Sequence, residues 1–230
     1  MREKSVRVVV LVALVALFTG TVSAQDMKKP EPTVPEIFTL TGQFVRVAYN
    51  NEGYVTLGYR TANDSVAEEW MLLDVGLTLR SGTKSQTLTR DAFTVTLPDG
   101  STVGLATQKE YNKAGDLRAL NARANIARDS INYFPVSANQ PCVLGFFSDP
   151  TSAVRNISYD QFSMTSQSAC VGRLFFEIPG KIQTGQHYLN VQFEGSVVQV
   201  PFRILTKAEE KEFKKTWKDI KKEHDASCKQ

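Results

Sequence analysis

Residues 185–205, GQHYLNVQFEGSVVQVPFRIL, decide the fold class. Leu189, Val191 and Phe193 fall on one face of an extended chain, and Tyr188, Asn190, Gln192 and Glu194 on the other. After Glu194-Gly195-Ser196, a turn signal, the alternation resumes. Val198, Val200 and Phe202 then alternate with Gln199, Pro201 and Arg203. Side chains of a strand point to opposite faces with a period of two, so this is a half-buried antiparallel hairpin. Proline lacks the ladder donor, so Pro201 places the return strand at a sheet edge.

The same pattern runs backward through the chain. RLFFEIPG (173–180) is an apolar strand stopped by Pro179-Gly180. CVLGFF (142–147) is a further strand signal. DAFTVTLPDGSTVGLA (91–106) is a hairpin, with Phe93, Val95 and Leu97 before Asp99-Gly100 and Val103 and Leu105 after it. Asp-Gly suits the positive φ of such a turn. EEWMLLDVGLTLR (68–80) reads as two runs around Gly76, and GYVTLGYR (53–60) follows the turn signal Asn50-Asn51-Glu52-Gly53. Phe38, Leu40 and Phe44 begin the series, with a bulge expected near Gly42. Strands this short, with a turn signal every 8–12 residues or so, predict a mainly β sandwich or barrel.

Within this pattern, Gly185-Gln186-His187-Tyr188-Leu189-Asn190-Val191 resembles the G-x-x-Tyr-x-x-Val strand that precedes the last turn of immunoglobulin-like and fibronectin-III-like sandwiches, here of the bacterial exported type. The resemblance covers the strand count over 37–205 and the motif of the final hairpin. It implies an Ig-like antiparallel β-sandwich and carries no site residues with it. The antibody pattern of two cysteines on facing strands around a core tryptophan is not met by Cys142, Cys170 and Trp70.

Two segments break the period of two. Thr107-Gln108-Lys109-Glu110 has capping-box form; Gly115 interrupts, Asp116 can start a second helix, and Leu117, Leu120, Ala124, Ala127, Ile131 and Phe134 make one helical stripe ended by Pro135. A helical insertion over about 107–134 is expected, capping an open end of the sandwich or serving as a lid. Residues 206–230 form a C-terminal amphipathic helix, with a capping box from Thr206 to Glu209, an apolar face of Phe213, Trp217 and Ile220, and a Glu210/Lys214 pair. It either docks on the sandwich or projects toward a partner.

Residues 1–24 read as a signal peptide: Arg2, Lys4 and Arg7, then the apolar run from Val8 to Phe18, then the cleavage site Val22-Ser23-Ala24. The run is too short for a stable transmembrane anchor, which needs roughly 17–25 residues. Residues 25–36, with three prolines, read as a linker. The full chain of 230 residues carries +3, but the first 24 hold three basic residues and one acidic residue. The exported chain therefore carries +1, which argues against nucleic acid as a partner. A periplasmic or secreted location follows, and with it an oxidising compartment. Cys142 and Cys170 are expected to pair, closing a loop worth about 3–4 kcal/mol on the chain-entropy estimate. Cys228 is left over, free or paired with another chain.

Catalytic, cofactor and metal signatures are not found in the sequence. His187 and His224 lie in no metal-binding array, and no C-x-x-C, G-x-S-x-G, dinucleotide fingerprint or calcium loop occurs. Each histidine reads as exposed or capping. Gly53 and Gly58 have P-loop spacing, but Tyr59 and Arg60 replace the required Lys and Ser/Thr, so both read as strand ends. Glu68 and Glu69 would point to opposite faces. Asn63-Asp64-Ser65 and Asn156-Ile157-Ser158 match the glycosylation pattern and read as exposed loops. The expectation is a non-catalytic binding or structural module acting on an unknown protein or envelope component. Trp70, Tyr111, Tyr133 and Trp217 are its candidate contact residues, because aromatics dominate interfaces. The alternatives are an envelope-polymer hydrolase, using tertiary carboxylates or Ser with His187, and a carrier of a small apolar ligand.

Overall fold

A computed structural model describes residues 44–115, 117–148 and 157–227; side chains are described through 219 and at 222. The signal peptide, the linker, the strand start with its bulge near Gly42, Asn156 and Cys228 lie outside the described residues. The elements run β1 (Val45–Tyr49), β2 (Gly53–Gly58), α1 (Arg60–Asn63), β3 (Trp70–Leu79), β4 (Gln86–Thr89), β5 (Phe93–Thr96) and β6 (Thr102–Gly104). They continue with α2 (Gln108–Lys113), α3 (Leu117–Ile126), β7 (Gln140–Val143), β8 (Gln161–Met164), β9 (Ser168–Glu177), β10 (Gly185–Gln192), β11 (Val197–Ile204) and α4 (Lys207–Ser227).

The fold is mainly β, as expected. One sheet has the order β1-β2-β3-β9-β7, a second β11-β10-β5-β6, and β4 pairs with β8 in a third. All pairings are antiparallel except β7 with β9. Leu57, Leu73, Phe176, Phe93, Leu189 and Val200 join one buried cluster, drawn from both larger sheets. The final hairpin has the expected register, Leu189 opposite Val200 and Tyr188 opposite Pro201, and β11 is a sheet edge. At Asp99-Gly100 the chain reverses with Gly100 at φ +84°, while the Asp99 carboxylate accepts from the Ser101 N–H at 2.9 Å. The Asn50 side chain closes the β1–β2 turn by accepting from Glu52 N and Gly53 N, each at 2.8 Å.

Three expectations are corrected. Residues 68–80 do not make two strands around Gly76: β3 runs unbroken for ten residues, all buried. Gly76 is a gap for neighbours, since a Cβ there would lie 2.3 Å from Thr56 Oγ1 and 2.7 Å from the Phe134 ring. The helical insertion is two helices, as the interruption at Gly115 predicts, but the second ends at Ile126 rather than Phe134. Beyond it, the Arg60 guanidinium holds Asp129 (2.7 Å), and Thr56 Oγ1 donates to the Ile131 carbonyl (3.0 Å). The chain from 127 onward is thus laid along the sheet instead of wound. The insertion also covers a sheet face, not an open end: Tyr111, Leu117, Leu120 and Ala124 pack with Trp70, Leu72 and Phe175. Finally, the CVLGFF run gives only a short β7 and then turns, which carries Phe146 into contact with Phe93 and Phe162.

Cys142 and Cys170 are register partners in β7 and β9 and form a disulfide, with Cα atoms 4.0 Å apart. The bridge joins neighbouring strands of one sheet, unlike the sheet-to-sheet bridge of antibody domains. No helix among the described residues is long and apolar enough to cross a membrane. Thr206 caps α4 as expected, its hydroxyl accepting from Glu209 N while Glu209 accepts from Thr206 N. Phe213 reaches Phe44, with ring centroids 6.1 Å apart.

Candidate functional site

The chain leaves β6 by crossing between sheets. Leu105 N donates to Phe93 O in the four-stranded sheet (3.2 Å), and Ala106 N donates to Phe175 O in the five-stranded one (3.0 Å). Thr107 then caps α2. Its backbone N–H and hydroxyl both donate to the Glu110 carboxylate, at 2.7 and 2.9 Å, and these bonds hold the Glu110 pKa below its usual value. A carboxylate is thereby fixed at the start of a helix, where it also suits the dipole.

The facing wall comes from strand register. Trp70 at the start of β3 is opposite Glu177 at the end of β9, so Glu69 and Glu177 arrive at the same sheet end. Ile178 N bonds to Glu69 O (2.7 Å) and Ile182 N to Glu68 O (2.8 Å), which pins the Pro179-Gly180 turn beside them. Glu68 itself turns away to Arg123, whose hydrogen bonds hold the Glu68 pKa low.

Between these walls lie two adjoining depressions of about 740 and 750 Å³, both bordered by Glu69, Glu110 and Glu177. The first runs along Val103, Gly104 and Leu105 to Lys181. The second reaches Trp70, Lys113 and Gly115. Together they form an open groove beside the insertion, with three exposed carboxylates and a lysine near each end.

The four candidate contact residues do not form one patch. Trp70 and Tyr111 share the buried cluster under the helices, 5% and 7% exposed. Tyr111 also stacks edge-on to Phe175 and accepts a hydrogen bond from Asn121. Trp70 borders the second depression. Tyr133 is half-buried in the segment after α3, and Trp217 is half-buried on α4, stacked on Phe213.

His187 corrects the reading of an exposed or capping residue. It is fully buried, in phase with Leu189 and Val191, and its ring stacks on Phe202 at 5.3 Å. Nδ1 meets the Gly185 carbonyl at 3.0 Å, Nε2 has no partner among the described residues, and burial lowers the pKa, favouring the neutral ring. Asn63 is also not an exposed loop residue: it is buried in α1, and its side chain accepts from Leu205 N at 2.8 Å. Among the described residues, no group of three or more His, Cys, Asp or Glu is placed to hold a metal ion.

Sequence reading missed the groove because Glu69, Glu110 and Glu177 are far apart in the chain. Only the Thr107–Glu110 capping box and the Pro179-Gly180 stop mark its walls locally. No family model matches the chain, and no curated protein or solved structure matches it either.

Proposed function

We propose that this chain is an exported Ig-like β-sandwich acting as a non-catalytic binding module in the cell envelope or outside the cell, and that the Glu69/Glu110/Glu177 groove is its binding surface. The groove carries the reading: it is open, bordered by three carboxylates over a largely apolar floor, and its walls are fixed by backbone hydrogen bonds and a helix cap. The leader-like residues 1–24 and the Cys142–Cys170 disulfide support a location in an oxidising compartment. The final hairpin supports the Ig-like type.

Photo-crosslinking in an envelope extract of the source cells tests this. A benzophenone side chain placed at Gly104 or Lys181 is expected to give a discrete adduct, and one at exposed Thr87 on β4 none. Adducts that are absent, or identical from all three positions, overturn the proposal. Turnover of an envelope polymer that is abolished by Glu177→Gln would instead establish a hydrolase.

A further inference from the structure

β6 ends the four-stranded sheet, and among the described residues no strand is laddered to its outer side; only the end of β9 comes near, where Ala106 N bonds to Phe175 O (3.0 Å). Its ladder with β5 sets which backbone groups point to that side. Leu97 N bonds to Ser101 O and Leu105 N to Phe93 O, with Val95 opposite Val103 between them. In an antiparallel pair, bonding residues alternate with outward-facing ones. The N–H and C=O of Thr102 and Gly104 therefore point away from β5. Among the described residues no hydrogen bond uses these four groups, and both residues are exposed. A Cβ added to Gly104 would meet nothing within 4 Å among the described residues, so the outer face of β6 is open at this position.

Proteins commonly protect such an edge with lysine, proline or an inward charge, or by keeping it short. β6 is short, but its three residues are Thr, Val and Gly. The first depression lies along it, and its other wall runs from Glu177 to Lys181. A strand added about 4.8 Å from β6 would enter that depression. Three carboxylates and one lysine border the space, so a positive side chain is favoured there.

We propose that β6 is a strand-addition site for an extended segment of a partner protein that carries a lysine or arginine. The segment's backbone pairs with Thr102 and Gly104, and its cation reaches Glu69 and Glu177. This is recognition by β-augmentation, in which main-chain bonds supply affinity and alternate side chains supply specificity. It rests on the groove being the binding surface.

The probe is a blocked nine-residue peptide of alternating Thr and Val with a central Lys, read by fluorescence anisotropy against the mature, disulfide-bonded chain. Its partners are the same peptide with central Glu, and two Lys peptides N-methylated at alternate amides in the two phases. Saturable binding of the Lys peptide is expected. The Glu peptide should bind about tenfold more weakly or worse, because like charges would face each other. One methylation phase should abolish binding and the other spare it. Glu177→Lys should remove the charge preference, and Gly104→Pro should weaken every peptide, since that N–H lies outside the ladder with β5. No saturable binding, equal binding of Lys and Glu peptides, or indifference to both methylation phases overturns the inference. If the peptides fail while Gly104 and Lys181 still crosslink, only the basic strand falls. If both fail, the groove falls with it.

Discussion

On the inner face of β3, Met71, Leu73, Val75 and Leu77 meet the second sheet; on its outer face, Trp70 and Leu72 meet two helices, and then Asp74 and Gly76 take over. The inner face is apolar along its length. The outer face is covered by a mixture: an aromatic cluster at one end, then Asp74 paired with Arg173 at 3.3 Å, whose other donors reach Asn121 and Asn125. One face is thus sealed by a uniform strand pattern, the other by individual anchors. The core shared by the two larger sheets lies on the first. The helical cover is held by few contacts, each of specific chemistry, and should be separable from the fold.

The largest effect is expected inside. Phe93 is fully buried and touches the Phe146 and Phe162 rings, so Phe93→Ala should cost about 3–5 kcal/mol in denaturant unfolding, seen equally by every probe. Replacing both Cys142 and Cys170 by alanine should cost about 3–4 kcal/mol, also globally, because the bridge constrains the unfolded chain. Leu120→Ala in the outer cluster should cost about 2–3 kcal/mol, but locally. Hydrogen exchange should speed up in α2 and α3 while β10 and β11 stay protected. Equal loss of protection in all four would break the distinction between the faces.

The smallest effect is electrostatic. Burial pushes Asp74 above the usual carboxylate range, with Arg173 opposing. The folded state then holds the proton longer than the unfolded chain does. The resulting stability is fully present below the unfolded value and is lost as pH rises through the folded one. The stability of the wild type relative to Asp74→Asn should therefore decline from acid toward neutral pH, as urea midpoints would show. Midpoints that rise instead would mean that Arg173 dominates.

The same contrast separates what the residues announce from what they conceal. Asp99-Gly100, the two capping boxes and the Leu189/Val191 alternation are local signals, and all appear in the structure. Gly76 misled because a glycine that ends a strand and one that makes room for Phe134 look alike until Phe134 is in place. The stripe from Leu117 to Phe134 kept helical spacing, yet Asp129 and Ile131 had stronger partners across the sheet in Arg60 and Thr56. His187 shares the phase of Leu189 and Val191, so its burial was legible from alternation; residue type argued the other way. The groove had no local signal beyond its corners, because register between β3 and β9 assembles it.

Cys142 and Cys170 stand side by side although 28 positions separate them. A protease that cuts between them does not divide the molecule. The two fragments travel as one band on a gel until a reductant is added, and the nick stays invisible to size measurements under oxidising conditions. The bridge thus makes the intervening segment expendable as a covalent link.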